Sequence, residues 1–100
     1  MPKLDPRLHT FNDQTAPDDS PGNYYVSCVD GDRFAFLAGP FRNDHRAALA
    51  LVPQARQLAC NLDPKAVFYG FGTCRREPGA AVSAPVGILN RELGLPEGAD

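Results

Sequence analysis

Tyr24 to Ala38, YYVSCVDGDRFAFLA, decides the fold. Two apolar runs meet at Asp30-Gly31, and an Asp-Gly pair in that setting signals a β-hairpin. A type I′ turn needs positive φ at both central residues, which this pair tolerates. The strands run from Tyr24 to Val29 and from Arg33 to Ala38. With a two-residue turn, one face carries Tyr24, Val26, Cys28, Ala35 and Leu37. The other carries Tyr25, Ser27, Val29, Phe34 and Phe36. Both faces are largely apolar, whereas a sheet with one solvated face alternates apolar and polar residues. Both faces therefore call for a cover.

Downstream, Gly39-Pro40 ends the second strand, because proline lacks the N–H that a central ladder requires. Asn43 or Asp44 can cap a helix that runs to about Asn61. Ala48, Leu51, Val52, Ala55, Leu58, Ala59 and Leu62 recur at spacings of three and four and form one apolar stripe. Pro53 falls inside this pattern without breaking its phase, which predicts one kinked helix over the sheet. Asp63-Pro64 closes it. Ala66 to Cys74, AVFYGFGTC, then reads as a third strand, with Val67, Tyr69, Phe71 and Thr73 pointing one way and Phe68 the other. Gly70 and Gly72 within it suggest a bulge or a close backbone approach.

The flanks are less periodic. Met1 to Gly22 carries four prolines and only Leu4, Leu8 and Phe11 as apolar anchors, the composition of an extended or disordered arm. Arg75 to Val86 is a Gly-, Ala- and Pro-rich loop, and Gly87 to Leu95 can form a short C-terminal helix on Ile88, Leu89 and Leu93. The division is an arm over 1–22, a core domain over 23–75, and a loop, short helix and tail over 76–100. The expected fold class is α+β, a β-β-α-β two-layer sandwich. Its three-stranded antiparallel sheet has the hairpin's second strand, its first strand and the third strand in that spatial order, under one kinked helix. Its core is expected from Val26, Cys28, Ala35, Leu37, Leu51, Val52, Ala55, Leu58 and Ala59.

A net charge of −2 argues against nucleic-acid binding through bulk electrostatics. The cysteines, Cys28, Cys60 and Cys74, are odd in number and belong to no CxxC, HExxH or Cys/His cluster. Three reduced thiols and no metal or cofactor are the expectation. No apolar run reaches the length of a membrane span and no signal-peptide pattern opens the chain, so a cytoplasmic protein without membrane attachment is expected.

Catalytic signals are weak. His45 lies in the first turn of the helix, where an exposed polar side chain is the ordinary reading, and His9 lies in the arm. Cys74 precedes Arg75-Arg76, which could lower its pKa, but no histidine is placed to activate it. Asp30 and Asp32 belong to the turn, and Gly70-Phe71-Gly72 leads into no helix that would make it a phosphate loop. The chain is therefore read as non-enzymatic. Tyr25, Phe34, Phe36, Tyr69 and Phe71, with Arg75 and Arg76, form the expected binding surface on the second sheet face. Aromatic anchors of this kind suit a protein partner or self-association as a homodimer. The alternative is single-stranded nucleic acid stacked on the same aromatics beside Arg33, Arg42, Arg75 and Arg76.

Three resemblances bear on these readings. Tyr69-Gly70-Phe71-Gly72 resembles part of the RNA-recognition-motif signature, although that fold has two helices where one is expected here. Arg33 to Phe41 with Ala47 or Ala48, RFAFLAGPF followed by a helical alanine, resembles the second half of the SPOR domain, which implies binding to bacterial cell-wall glycan. The match covers about a quarter of the chain and lacks the second strand-helix repeat of that domain. The YYVS, AGPF and FYGFGT cadence is similar to small uncharacterised proteins of phages and integrated elements in GC-rich proteobacteria. That resemblance implies a stoichiometric accessory or inhibitor protein.

Overall fold

The computed structural model describes residues 9–12, 16–76 and 86–95. Its elements are β1 (His9–Asn12), β2 (Asn23–Asp30), β3 (Arg33–Arg42), α1 (His45–Leu62), a 3-10 turn (Pro64–Phe68) and β4 (Gly70–Arg76). The fold is α+β with one helix over an antiparallel sheet, but the sheet has four strands rather than three, in the order β1-β4-β2-β3. The expected relative order of β3, β2 and β4 holds. The fourth comes from the arm, where HTFN pairs with β4 from His9↔Arg75 to Asn12↔Gly72. Four residues are too few to show a β period in sequence, and pairing with a neighbour is what makes them a strand.

The hairpin forms with its central pair one residue later than Asp30-Gly31. Asp30 opposes Arg33, which leaves Gly31 and Asp32 as the turn. Gly31 has φ +63°, and among the described non-glycine residues only Asn43 has positive φ. Positive φ at the first central residue alone is the type II′ pattern, with glycine first, rather than type I′.

The face assignment follows from the ladders, since directly opposed residues share a face. Cys28 opposes Ala35, and Val29 opposes Phe34. Tyr24, Val26, Cys28, Leu37 and Ala38 pack with Ala48, Val52 and Ala55 of α1 and with Leu89 as the core. Leu51, Leu58, Ala59 and Ala35 lie half-buried at its edge. The helix is a single element through Pro53, which sits on the exposed side. Asp44 is its N-cap, with Oδ1 accepting from the Ala47 N–H at 3.1 Å. Asn43 serves elsewhere: its backbone and side chain exchange hydrogen bonds with Gly22 at 2.7 and 2.9 Å.

The third hairpin-flanking strand begins later than Ala66. Pro64 to Phe68 is a 3-10 turn instead. Asp63 caps it through an Oδ1 bond from the Lys65 N–H at 3.0 Å, and Pro64 fits a first helical position. Local capping here overrides the β preference of Val67 and Phe68. Gly72 is needed for the approach of β1, since a Cβ there would lie 2.3 Å from the Phe11 carbonyl oxygen.

Gly87 to Leu95 docks, but as one tight turn rather than a helix. Leu95 N–H donates to Asn90 O and Gly94 N–H to Arg91 O, the bond pair of a Schellman motif. The segment covers the outer edge of β3. Gly87, Ile88 and Leu89 donate to the carbonyls of Gly39, Phe36 and Leu37 at 3.1, 3.0 and 2.8 Å. Leu89 is buried while Ile88 is exposed. Of the arm's anchors Phe11 docks onto the body; Leu4, Leu8 and the 77–85 loop lie outside the described residues.

Candidate functional site

The seven residues expected to form one binding face divide between two. Phe71 opposes Cys28 and Arg75 opposes Tyr24, so both lie on the helix side. Tyr69 and Phe71 pack against the core. Tyr25, Phe34, Phe36 and Arg76 remain on the second face, with Arg76 opposing Asn23 and Cys74 opposing Tyr25. Tyr25 is 0% exposed and Phe34 is buried as well. Tyr25 and Phe36 rings lie 4.3 Å apart, and Phe34 meets Phe36 edge-on at 5.1 Å. This aromatic trio packs on itself, so it is more an interior than a platform with open ring faces. The division follows from strand alternation: Phe71, Thr73 and Arg75 share one face of β4, and Arg76, the next residue, takes the other.

Arg75 does structural work. It is 8% exposed, its guanidinium donates to the Pro21 carbonyl at 3.0 Å, and its Nε lies 3.5 Å from the Asp18 carboxylate. Next to it stands the residue that the sequence reading placed in solvent. His45 is 2% exposed. Its Nε2 lies 2.7 Å from Thr73 Oγ1, and its Nδ1 accepts from the Asp18 N–H at 2.8 Å. Tyr24 stacks on the imidazole at 4.6 Å and Phe11 tilts against it at 4.7 Å. The Tyr24 hydroxyl donates to the Ser20 carbonyl at 2.6 Å, with Asp18 O 3.2 Å away. The signal for His45 was in the sequence: His45, Ala48, Val52 and Ala55 continue one stripe at spacings of three and four, and all four are buried.

The environment of these groups sets their protonation. Burial pushes the His45 pKa down, with the Asp18 charge partly offsetting it, so the ring is neutral with Nε2 carrying the proton. The Asp18 carboxyl is held below its usual value, chiefly by the Ser20 N–H. Burial pushes the thiols of Cys28 and Cys74 up to about 11 and about 12. Such thiols are protonated and unreactive near neutrality. The three cysteines are free. Among the described residues no three His, Cys, Asp or Glu side chains are grouped to hold a metal ion. No helix among them is long and apolar enough to cross a membrane.

Of the four large apolar side chains that stand in solvent among the described residues, Ile88 lies on the C-terminal segment and the other three lie close together in sequence. Phe68 is 86% exposed, with Val67 and Leu62 each at 62%. All three lie within seven residues, at the end of α1 and in the 3-10 turn. The turn is held by Ala66 N–H to Asp63 O at 2.9 Å and Tyr69 N–H to Ala66 O at 3.0 Å, besides the Asp63 cap. Sequence reasoning missed this knob because a strand would have buried one of its faces. Two depressions lie elsewhere on the described surface. One, of about 220 Å³, is lined by Thr10, Asn12, Ser27, Val29, Gly70 and Gly72 among others. The other, of about 320 Å³, lies between Gln54, Gln57, Leu58 and Asn61 of α1 and Glu92 and Leu93.

Compared with protein-family models, curated proteins and solved structures, the chain matches none.

Proposed function

We propose that the protein is a non-enzymatic protein-binding domain whose contact is the apolar knob of Phe68, Val67 and Leu62 rather than the aromatic sheet face. The exposure of Phe68 carries this reading. A large aromatic ring at a protein surface is a common anchor of binding energy. One mounted on a hydrogen-bonded turn loses little conformational freedom when it binds. The neutral, doubly bonded His45 and the protonated buried thiols support a non-enzymatic role.

The test is affinity capture from a host extract with wild type and with Phe68→Ser as the matched control, alongside light scattering of both. A partner retained by wild type and lost with Phe68→Ser, each protein being monomeric alone, is the expected result. Equal capture by the two proteins removes the knob from the interface.

A further inference from the structure

We propose that residues 16–22 form an acid-released strap, latched across the sheet by the neutral imidazole of His45. The strap has few apolar contacts of its own, and of its residues only Gly22 is fully buried. Polar bonds hold it at four points. The Asp18 N–H donates to His45 Nδ1, the Tyr24 hydroxyl donates to the Ser20 carbonyl, Arg75 donates to the Pro21 carbonyl, and Gly22 pairs with Asn43.

The first of these bonds has a strict protonation requirement. A backbone N–H can only donate, so Nδ1 must be the bare nitrogen of the ring. A proton added at Nδ1 sets two donors against each other at 2.8 Å. Nδ1 is also the nitrogen that protonation must fill, because Nε2–H already donates to Thr73 Oγ1. Protonation and the strap bond therefore exclude each other. Burial of the ring between Tyr24 and Phe11 adds to the cost of charge while the strap is closed. Opening admits water to the ring and removes both penalties, so acid favours the open form by linkage.

The charged and titratable groups around the ring come from every element against it. The strap brings Asp18 and Asp19; β4 brings Arg75; β1 brings His9, which opposes Arg75; β2 brings the Tyr24 hydroxyl; α1 brings Arg46 and its cap Asp44. Asp18 is the group that opposes release, since its carboxylate attracts an imidazolium. It also pairs with Arg75, and its N–H is the donor in conflict. Release uncovers Tyr24, His45 and Arg75 together, replacing an acidic cover by a cationic, aromatic surface.

The test is an NMR titration of the full chain from about pH 8 to about pH 4.5, a range that brackets the ordinary histidine value. It follows the His45 ring and the protection of the Asp18 amide corrected for intrinsic exchange. The expected result is that Asp18 protection falls by up to about tenfold per pH unit from about pH 6.5 down to the observed His45 midpoint, where little remains, while the β2–β4 ladder stays protected. His45→Asn keeps an acceptor near the Nδ1 position but cannot titrate, and in it the protection of Asp18 should be flat. Three results overturn the proposal: Asp18 protected while His45 is charged, Asp18 released while His45 is neutral, or Asp18 and the ladder lost together. Neither protonation nor release by about pH 4.5 overturns it as well. The wild-type comparison of ring and amide midpoints decides the matter even if the variant does not fold.

Discussion

Asn90 and His45 hold two irregular segments against the sheet, and each does it as a buried polar side chain bonded to distant backbone. The Asn90 amide bonds both backbone groups of Gly39, Oδ1 accepting from its N–H at 3.0 Å and Nδ2 donating to its carbonyl. His45 likewise uses both ring nitrogens, one on the Asp18 N–H and one on Thr73. Both lie almost out of solvent. The difference is that an amide carries a donor and an acceptor at every ordinary pH, while an imidazole does so only when neutral. The C-terminal clamp is therefore constitutive and the N-terminal one conditional. Apolar contact sharpens the contrast: Leu89 beside Asn90 is in the core, and the strap beside His45 has no such anchor.

The largest effect expected from breaking the comparison is at the constitutive clamp. Asn90→Leu leaves the buried Gly39 N–H without its Asn90 partner, at about 1–3 kcal/mol, and removes one of two bonds to the Gly39 carbonyl, which keeps the Gly87 N–H. Urea unfolding should show a loss on the order of 2–4 kcal/mol, the same at pH 7.5 and 5.5. A loss that grows in acid would mean that this clamp is also conditional.

Next comes Thr73→Val, which keeps the side-chain shape but removes the acceptor of the His45 Nε2–H. It should cost about 1–3 kcal/mol at neutral pH. A cost near zero would show that Nε2 finds another acceptor, and the tautomer argument would fail with it.

The pH dependence of wild-type stability is smaller in any one step. His45 has a folded pKa below its unfolded value, so its contribution is complete above about pH 6.5. It is lost as pH falls from there toward the folded value, with a slope of at most about 1.4 kcal/mol per pH unit. Asp18, also depressed, contributes above its ordinary value near 3.8 and is lost only below it. In the first of these ranges His45 alone of the pair titrates. His45→Asn should flatten the curve there; an unchanged slope would place the titration elsewhere.

The smallest effect belongs to neither clamp. Phe68 is in solvent, so Phe68→Ser should change unfolding free energy by no more than about 0.5 kcal/mol. A large loss would mean that the ring packs on the body and is no binding knob.

Much of the fold was legible, for reasons that can be traced to particular residues. The apolar runs around Asp30-Gly31 required a hairpin, and the stripe from Ala48 to Leu58 required a helix over the face of Val26 and Leu37. The exposed apolar turn was not legible. Val67 and Phe68 have β-forming side chains, and the Asp63 side chain on the Lys65 N–H, with the Ala66–Asp63 and Tyr69–Ala66 backbone bonds, makes their segment a turn and leaves Phe68 in solvent. The helix-side placement of Phe71 and Arg75 comes from their pairing with Cys28 and Tyr24. The apolar second face called for a cover, and Tyr25 and Phe34 are buried.

By itself the sequence determined the elements that depend on periodicity: the hairpin, the helix through Pro53, the relative order of β3, β2 and β4, and the apolar core between sheet and helix. Period 2 and period 3.6 are local properties, and burying the stripes they create leaves few arrangements. Tertiary structure alone decided what depends on distant backbone. The β1 strand exists because β4 offers it an edge, the Asn90 clamp because Gly39 lies beside it, and the His45 latch because Asp18 and Thr73 meet on either side of one ring. Each satisfies a buried polar group with a partner 27 or more residues away for the two side chains, and no local pattern encodes such a meeting.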